Sequence, residues 1–291
     1  MPTVTTPPSA PRRSLAARVA GRVDRILVRP VRRALWRGPS DAELALRKRL
    51  ARHGASMHPR RPTSIWTPWV GAALQTRAMS ESALAEVMAC GLPAHPDKPK
   101  NWDLLVALGL ILDRTTPAGA VLEMGATQYS KLLPWLYLYG YRQLEGIDLV
   151  YEETIESDPI RYQPMDLTKT SFADASFDAI ACLSVIEHGV DLGSFIRESA
   201  RLLRPGGVLV ASTDYWCEPV DTGGQEAYGV PIRILGPADL VVLDEHARAA
   251  GLRPIVAAPV GGPMCAEKVV RWERFGLDYT FVTVAFEKPA A

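Results

Sequence analysis

An apolar run, Ala179-Ile180-Ala181-Cys182-Leu183-Ser184-Val185-Ile186, ends in Glu187 and His188. Histidine titrates near neutral pH, so at the end of a buried strand it can take the proton from a reacting hydroxyl. Upstream, Val121-Leu122-Glu123-Met124-Gly125-Ala126 closes a second apolar run with an acid and a glycine, and Asp148 follows 25 residues after Glu123, behind Gly146-Ile147. Paired strand-like runs that end in acids, with glycine at the first turn, form the layout that holds adenosine at the edge of an α/β sheet. The second acid of such a pair is placed to bind ribose hydroxyls.

The glycines distinguish between adenosine cofactors. A dinucleotide needs G-x-G-x-x-G, so that its pyrophosphate can lie on bare backbone at a helix N-terminus. Gly125 is instead followed by Ala126-Thr127-Gln128-Tyr129-Ser130, and the next glycine is Gly140. A glutamate at the strand tip would also repel a pyrophosphate. S-Adenosylmethionine has no phosphate, and its ammonium can use that acid. Glu123 is therefore expected to hold the cofactor's amino end, with Gly125 and Ala126 turning beside it and Asp148 on the ribose. A nicotinamide oxidoreductase is disfavoured by the same argument.

Further along come Pro164-Met165-Asp166-Leu167, then Ser184-Val185-Ile186-Glu187-His188, then Leu202-Leu203-Arg204-Pro205-Gly206-Gly207. Over roughly residues 100 to 290 this succession resembles the class I S-adenosylmethionine-dependent methyltransferases, in the branch whose fourth strand ends in Ser-Val-x-Glu-His. The chain departs from the family's usual first motif at Thr127 and Tyr129, where further glycines commonly sit. The resemblance implies an α/β, Rossmann-like, doubly wound sheet of seven strands, mostly parallel, with a C-terminal antiparallel hairpin. It implies that Asp166 faces the adenine while Leu167 covers it, and that Leu183 and Ser184 line the cofactor. Trp102, with Asn101, would sit on a leading helix over the methionine end. His188 would be the general base, with Glu187 beside it. A bland role in packing or loop hydrogen bonding is the competing reading of His188. Glu187 with Asp191, Asp214 and Asp221 could gather to bind Mg²⁺, as Glu187 and Asp214 would in the narrowest version. Solvated loop acids are the alternative. Thr213-Asp214-Tyr215-Trp216 offers aromatic surface for a sugar or planar acceptor, and Asp221-Thr222-Gly223-Gly224 reads as a substrate lid.

The elements that must position these residues alternate. Helices are expected over 40–58, 72–90 and from Lys98 through Leu112, then at 130–138, 192–203 and 237–250. Strands are expected at 120–123, 143–148, 179–183, 207–213, near 254–260 and at 279–287. Alternation of this kind argues for a largely parallel sheet covered by helices on both faces. Gly206-Gly207 is expected to make the turn into the fifth strand. The organisation is read as an arm over 1–38, a helical region over 39–115 covering the cofactor site, and the methyltransferase-like domain over 116–291.

Composition bounds the rest. A chain of 291 residues with 47% hydrophobic content can bury a full core. Four scattered cysteines without C-x-x-C spacing argue against a metal cluster or disulfide framework and fit a reducing cytoplasm. No apolar stretch approaches the roughly 20 residues of a membrane helix, and no signal peptide is read. The net charge of +1 conceals 15 Lys/Arg against 3 Asp/Glu in residues 1–61, and 18 against 29 in the remainder. The arm carries apolar residues at helical spacing between arginines. It reads as docking on the domain or a dimer mate, as a peripheral membrane contact, or as a transit peptide. A nucleic-acid partner is disfavoured because the domain itself is acidic. The function expected is O-methylation of a saccharide or other polyhydroxylated small molecule or oligosaccharide. A lipid-linked acceptor at a membrane surface, and a non-catalytic scaffold on the same fold, are the alternatives.

Overall fold

Two-sided burial shapes the centre of this chain. In β1 (Ala120–Met124) all five residues are buried, and they alternate between two apolar clusters. Val121 joins one, while Ala120, Leu122 and Met124 join the other. In β5 (Phe177–Leu183), Ala179 and Ala181 face the first cluster, and Ile180 and Cys182 the second. Continuous apolar strands with period-two alternation are what a sheet covered on both faces requires. The computed structural model describes residues 40–63, 69–257, 259 and 261–290. Ala42–Ala291 fold as one unit. The basic arm over 1–38, and every reading of it as a membrane or dimer contact, lies outside the described residues.

The remaining strands are β2 (Gln143–Asp148), β3 (Ile155–Ser157), β4 (Ile160–Pro164), β6 (Leu203–Tyr215), β7 (Glu226–Ala227), β8 (Val230–Pro231), β9 (Arg253–Pro254), β10 (Val270–Trp272) and β11 (Leu277–Glu287). The main sheet runs β10-β11-β6-β5-β1-β2-β4-β3, with β9 also on β11. Pairs β4/β2, β2/β1, β1/β5 and β5/β6 are parallel, whereas β11 is antiparallel to β6, β9 and β10. This is the expected Rossmann-like, doubly wound, mostly parallel sheet. Seven strands, β10-β11-β6-β5-β1-β2-β4, form its body; the edge strand β3 and the two-residue β9, off this path on β11, bring it to nine. The chain leaves β1 toward β2 on one side and reaches β5 on the other, so the strand order reverses between β1 and β5. Ligands of open α/β sheets bind at that reversal, beyond the carboxyl ends of the strands.

Helices cover both faces: α1 (Asp41–Arg52), α2 (Arg77–Ala89), α3 (Lys100–Arg114), α4 (Leu132–Leu138), α5 (Leu192–Leu202) and α6 (Pro237–Ala249). Every residue of α3 from Asn101 to Leu112 is buried, which makes it an interior helix rather than a surface one. It packs against α2 and α4 and against β5, β6 and β11. Thr76 caps α2 and Asp191 caps α5 through side chains that accept from Met79 N and Ser194 N. The turn expected at Gly206-Gly207 is a kink inside β6: the strand begins at Leu203, Gly206 has φ 83°, and the β5/β6 register shifts there. Among the described residues, no helix is long and apolar enough to cross a membrane.

Candidate active site

At the β1 tip, Glu123 is buried, beside the Leu133 backbone N–H and Ser130. Its Oε2 has no hydrogen-bond partner. Burial pushes this carboxyl up to about 8, the Leu133 and Ser130 hydrogen bonds oppose the rise, and the charge of Asp103 adds to it. An unpaired buried carboxylate oxygen is costly unless something cationic or a donor meets it. The Gly125 turn is sterically fixed: φ is 78°, and a Cβ there would lie 2.3 Å from Val185 Cγ2. Gly125 N and Ala126 N both donate to Ile147 O, at 2.8 and 3.0 Å, and Tyr151 Oη donates to Ala126 O at 2.9 Å. Asp148, half-buried at the β2 tip, accepts from Val150 N through Oδ1 at 2.8 Å. These features put a cation-seeking acid and a ribose-height acid on adjacent parallel strands, which fits the ammonium and the ribose of S-adenosylmethionine.

Across the strand reversal, β5 ends in Leu183 and then Ser184, which has φ 54° and a buried Oγ without a partner. Its N–H donates to Ser212 O at 3.0 Å and to Ser212 Oγ at 3.1 Å. Ser212 Oγ in turn donates to Asp103 Oδ2 at 2.6 Å, tying the β5 tip to α3 through β6. Next along, Thr213 Oγ1 donates to Glu187 Oε2 at 3.1 Å. Glu187 also pairs with Asp214, which accepts from the Tyr279 hydroxyl. Burial raises both carboxyls, and the Glu187 charge adds to the rise at Asp214. His188, half-buried, has its ring edge-on to Tyr228 at 5.1 Å and to Trp272 at 6.4 Å between centroids. Burial lowers its pKa and the Lys100 charge lowers it further, so the imidazole is neutral at neutral pH. Lys100 opens α3 with its ammonium 4.8 Å from the Phe281 ring centroid.

The strand-tip residues lie on a segment that matches a known family, whereas several of their partners do not. Residues 122–211 match the methyltransferase domain family. The matched methyltransferase domain segment runs from β1 into β6, and so contains Glu123, Asp148, Asp166, Ser184, Glu187 and His188. The 27-O-demethylrifamycin SV methyltransferase of Amycolatopsis mediterranei (strain S699) is 36% identical over 118 residues, covering 39% of this chain and 42% of that protein. A ubiquinone biosynthesis O-methyltransferase of Xanthomonas axonopodis pv. citri (strain 306) is 34% identical over 128 residues, covering 40% of this chain and 53% of that one. The chain thus spans less than two thirds of the length of these relatives. Among solved structures, the geranyl diphosphate C-methyltransferase of Streptomyces coelicolor A3(2) aligns over 86% of this chain and 100% of its own, at 14% identity and a TM-score of 0.48.

Several expected site residues are placed differently. Trp102 is fully buried in α3, 6.1 Å from Trp69, so it is core beneath the site rather than a cover over the cofactor; a helix buried on all sides leaves it no open face. Asp166 is exposed after β4, and its Oδ1 accepts from both Thr168 N and Thr168 Oγ1, at 2.8 and 2.7 Å, an Asx turn. Leu167 beside it is half-buried against the cluster on the α5 face. The magnesium reading fails on geometry. Asp191 is spent as a helix cap, Asp221 accepts from Gly223 N, and Glu187 and Asp214 face each other and protein donors. Among the described residues no group of three or more His, Cys, Asp or Glu is arranged to hold a metal ion. Tyr215 is buried, with its hydroxyl on Pro263 O at 3.0 Å, so of the expected aromatic surface only Trp216 is partly open. Sequence reasoning did not single out Lys100, Asp103, Tyr228 or Trp272.

Proposed function

We propose that the chain is an S-adenosylmethionine-dependent methyltransferase acting on a hydroxyl oxygen, with a saccharide or other polyhydroxylated ring as acceptor. The observation that carries the reading is the unpaired, buried Oε2 of Glu123, across the strand reversal from a neutral histidine. The cofactor would supply a methyl group on a sulfonium, transferred by in-line displacement. Glu123 meets its ammonium and Asp148 its ribose. Such a displacement disperses charge rather than creating it, so the protein's main contribution is alignment. His188 receives the hydroxyl proton at an imidazole nitrogen, which its lowered pKa keeps free at neutral pH. Thr213 and Asp214 hold Glu187, the residue preceding it, by hydrogen bonds. The names of the rifamycin and ubiquinone relatives both refer to oxygen, which supports an oxygen acceptor here.

Calorimetric titration with S-adenosylhomocysteine, with NAD in a parallel cell, tests the cofactor class. Binding of the first and silence of the second is expected, and silence of both would remove the reading. Methyl-labelled S-adenosylmethionine offered with a glycan panel then tests the acceptor class.

A further inference from the structure

The hairpin β7–β8 breaks a local rule. Ala227 pairs with Val230, so Tyr228 and Gly229 alone form the loop, with φ of 55° and 80°. Two consecutive positive φ values are what a two-residue type I′ loop demands, and its first position favours Asn, Asp or Gly. A tyrosine there is strained, because its Cβ crowds the backbone in the left-handed region. Nothing in the packing compensates. Tyr228 is 81% exposed, while its neighbours Ala227 and Ile232 are buried and anchor the hairpin. Among the described residues, the ring's one aromatic contact is His188, 5.1 Å away at 69°. Val230 seats the hairpin on the loop that carries His188, since a Cβ on Gly189 would lie 3.2 Å from Val230 Cγ1. Trp272 also lies edge-on to the imidazole, 6.4 Å between centroids, and is itself edge-on to Phe275 at 4.6 Å.

A strained, solvent-facing aromatic beside an imidazole points to a role at a bound ligand. We propose that Tyr228 is a specificity residue of the acceptor site. It offers its exposed ring to a cyclic acceptor, sugar or aromatic, beside His188 so that a ring hydroxyl reaches the imidazole, and it selects cyclic over open-chain hydroxyl compounds. Ring faces stack on aromatic side chains, whereas a flexible polyol offers no face and loses more rotational freedom on binding. This inference rests on the methyltransferase reading for the role of His188.

The test uses the full chain saturated with S-adenosylhomocysteine and two probes, 4-nitrophenyl β-D-glucopyranoside and the open-chain polyol sorbitol. Binding is read by saturation-transfer NMR. The glucoside is expected to bind the wild type and Tyr228→Phe alike, about tenfold more weakly to Tyr228→Ala, and sorbitol not to compete. Tyr228→Gly separates folding from recognition. Glycine accepts the positive φ, so its melting temperature should equal or exceed that of the wild type while glucoside binding is still lost. Equal glucoside affinity in the wild type and Tyr228→Ala, no glucoside binding to the wild type, or effective competition by sorbitol would each overturn the proposal. S-Adenosylhomocysteine affinity, measured separately on each variant, should not change. Its absence in the wild type would instead overturn the cofactor reading beneath.

Discussion

The two sides of the strand reversal are built from different materials. On the side of β1, β2 and β4, the candidate cofactor groups come from strand tips and the tight turns beside them, and the deciding feature is a buried acid oxygen left unpaired. On the side of β5 and β6, one strand end supplies Glu187 and His188, but the walls come from a small hairpin at 226–231 and from β10. The first side is fixed by backbone register and offers a charge. The second is fixed by side chains from distant segments and offers aromatic surface. A ligand common to many proteins calls for the first construction, and one particular to this protein calls for the second. The methyltransferase domain match ends at residue 211, before Asp214, Tyr228 and Trp272 are reached.

The sharpest way to separate the sides is His188→Ala. It should lower turnover of the hydroxyl acceptor by about 10²–10⁴-fold, the usual contribution of a positioned general base. S-Adenosylhomocysteine affinity should not move. Turnover that survives at every pH would remove the base role, and a matching loss of cofactor affinity would erase the distinction between the two sides.

The seam between them is the next target. Gly125 belongs to the β1 turn and Val185 to the β5 end, and a Cβ on Gly125 would lie 2.3 Å from Val185 Cγ2 at a φ of 78°. Gly125→Ala therefore adds a steric clash to backbone strain and should cost about 2–4 kcal/mol of stability. Adding Val185→Ala should recover the steric part and leave the strain. Urea unfolding of the two variants reads both, and an unchanged midpoint for Gly125→Ala would show that the halves do not interlock there.

Much of the first side was legible in the sequence because its signals are local. Glu123 and Asp148 are spaced by one strand-turn-helix unit, and apolar runs around them dictate buried parallel strands. The strand β4 was not legible: Ile160-Arg161-Tyr162-Gln163-Pro164 is short, carries only two large apolar side chains and ends in a proline, so its strand signal is weak. Trp102 misled because an aromatic that opens a helix looks available until the helix proves buried all round. Asp166 was placed correctly along the chain, but its side chain turned to Thr168, a choice that local hydrogen bonding makes and strand spacing does not record. Lys100 lies 87 residues before Glu187, and Tyr228 lies 40 residues after His188. No spacing rule links them, because only the folded sheet brings them to one edge.

Glu123 gives the cofactor side a pH signature of its own. Its carboxyl is raised by burial from the ordinary range to about 8 in the free protein. Between those values the folded state holds a proton that the unfolded state has released, so stability falls as pH rises toward 8. Glu123→Gln should remove this slope. A ligand ammonium at Oε2 favours the carboxylate, so binding should release a proton at neutral pH and tighten as pH approaches 8. Calorimetry in two buffers of different ionisation enthalpy measures that proton directly. The glutamine variant should bind about 10–100-fold more weakly, the range for a lost hydrogen bond to a charged group, and without proton release. Buffer-independent binding enthalpy in the wild type would detach Glu123 from the ligand.

Lys100 carries the smallest expected effect and the finest discrimination. Its charge lowers His188, Glu187, Asp214 and Asp103, and with the exception of Asp103 all of these lie on the acceptor side. Lys100→Met keeps the length of the stem over Phe281 and loses the cation, at a stability cost of about 0.5–2 kcal/mol from the lost cation–π contact. Without the neighbouring positive charge the imidazolium is easier to form, so the His188 pKa rises toward its ordinary value. The acid limb of kcat/KM should then move to higher pH while the plateau above it keeps its height. Burial, the larger cause of the His188 shift, is untouched, so the displacement stops short of a fully solvated histidine. A limb that stays in place would mean that the titrating base is not His188. A plateau that collapses together with the limb would mean that Lys100 touches the acceptor itself rather than acting through the field it casts on the imidazole.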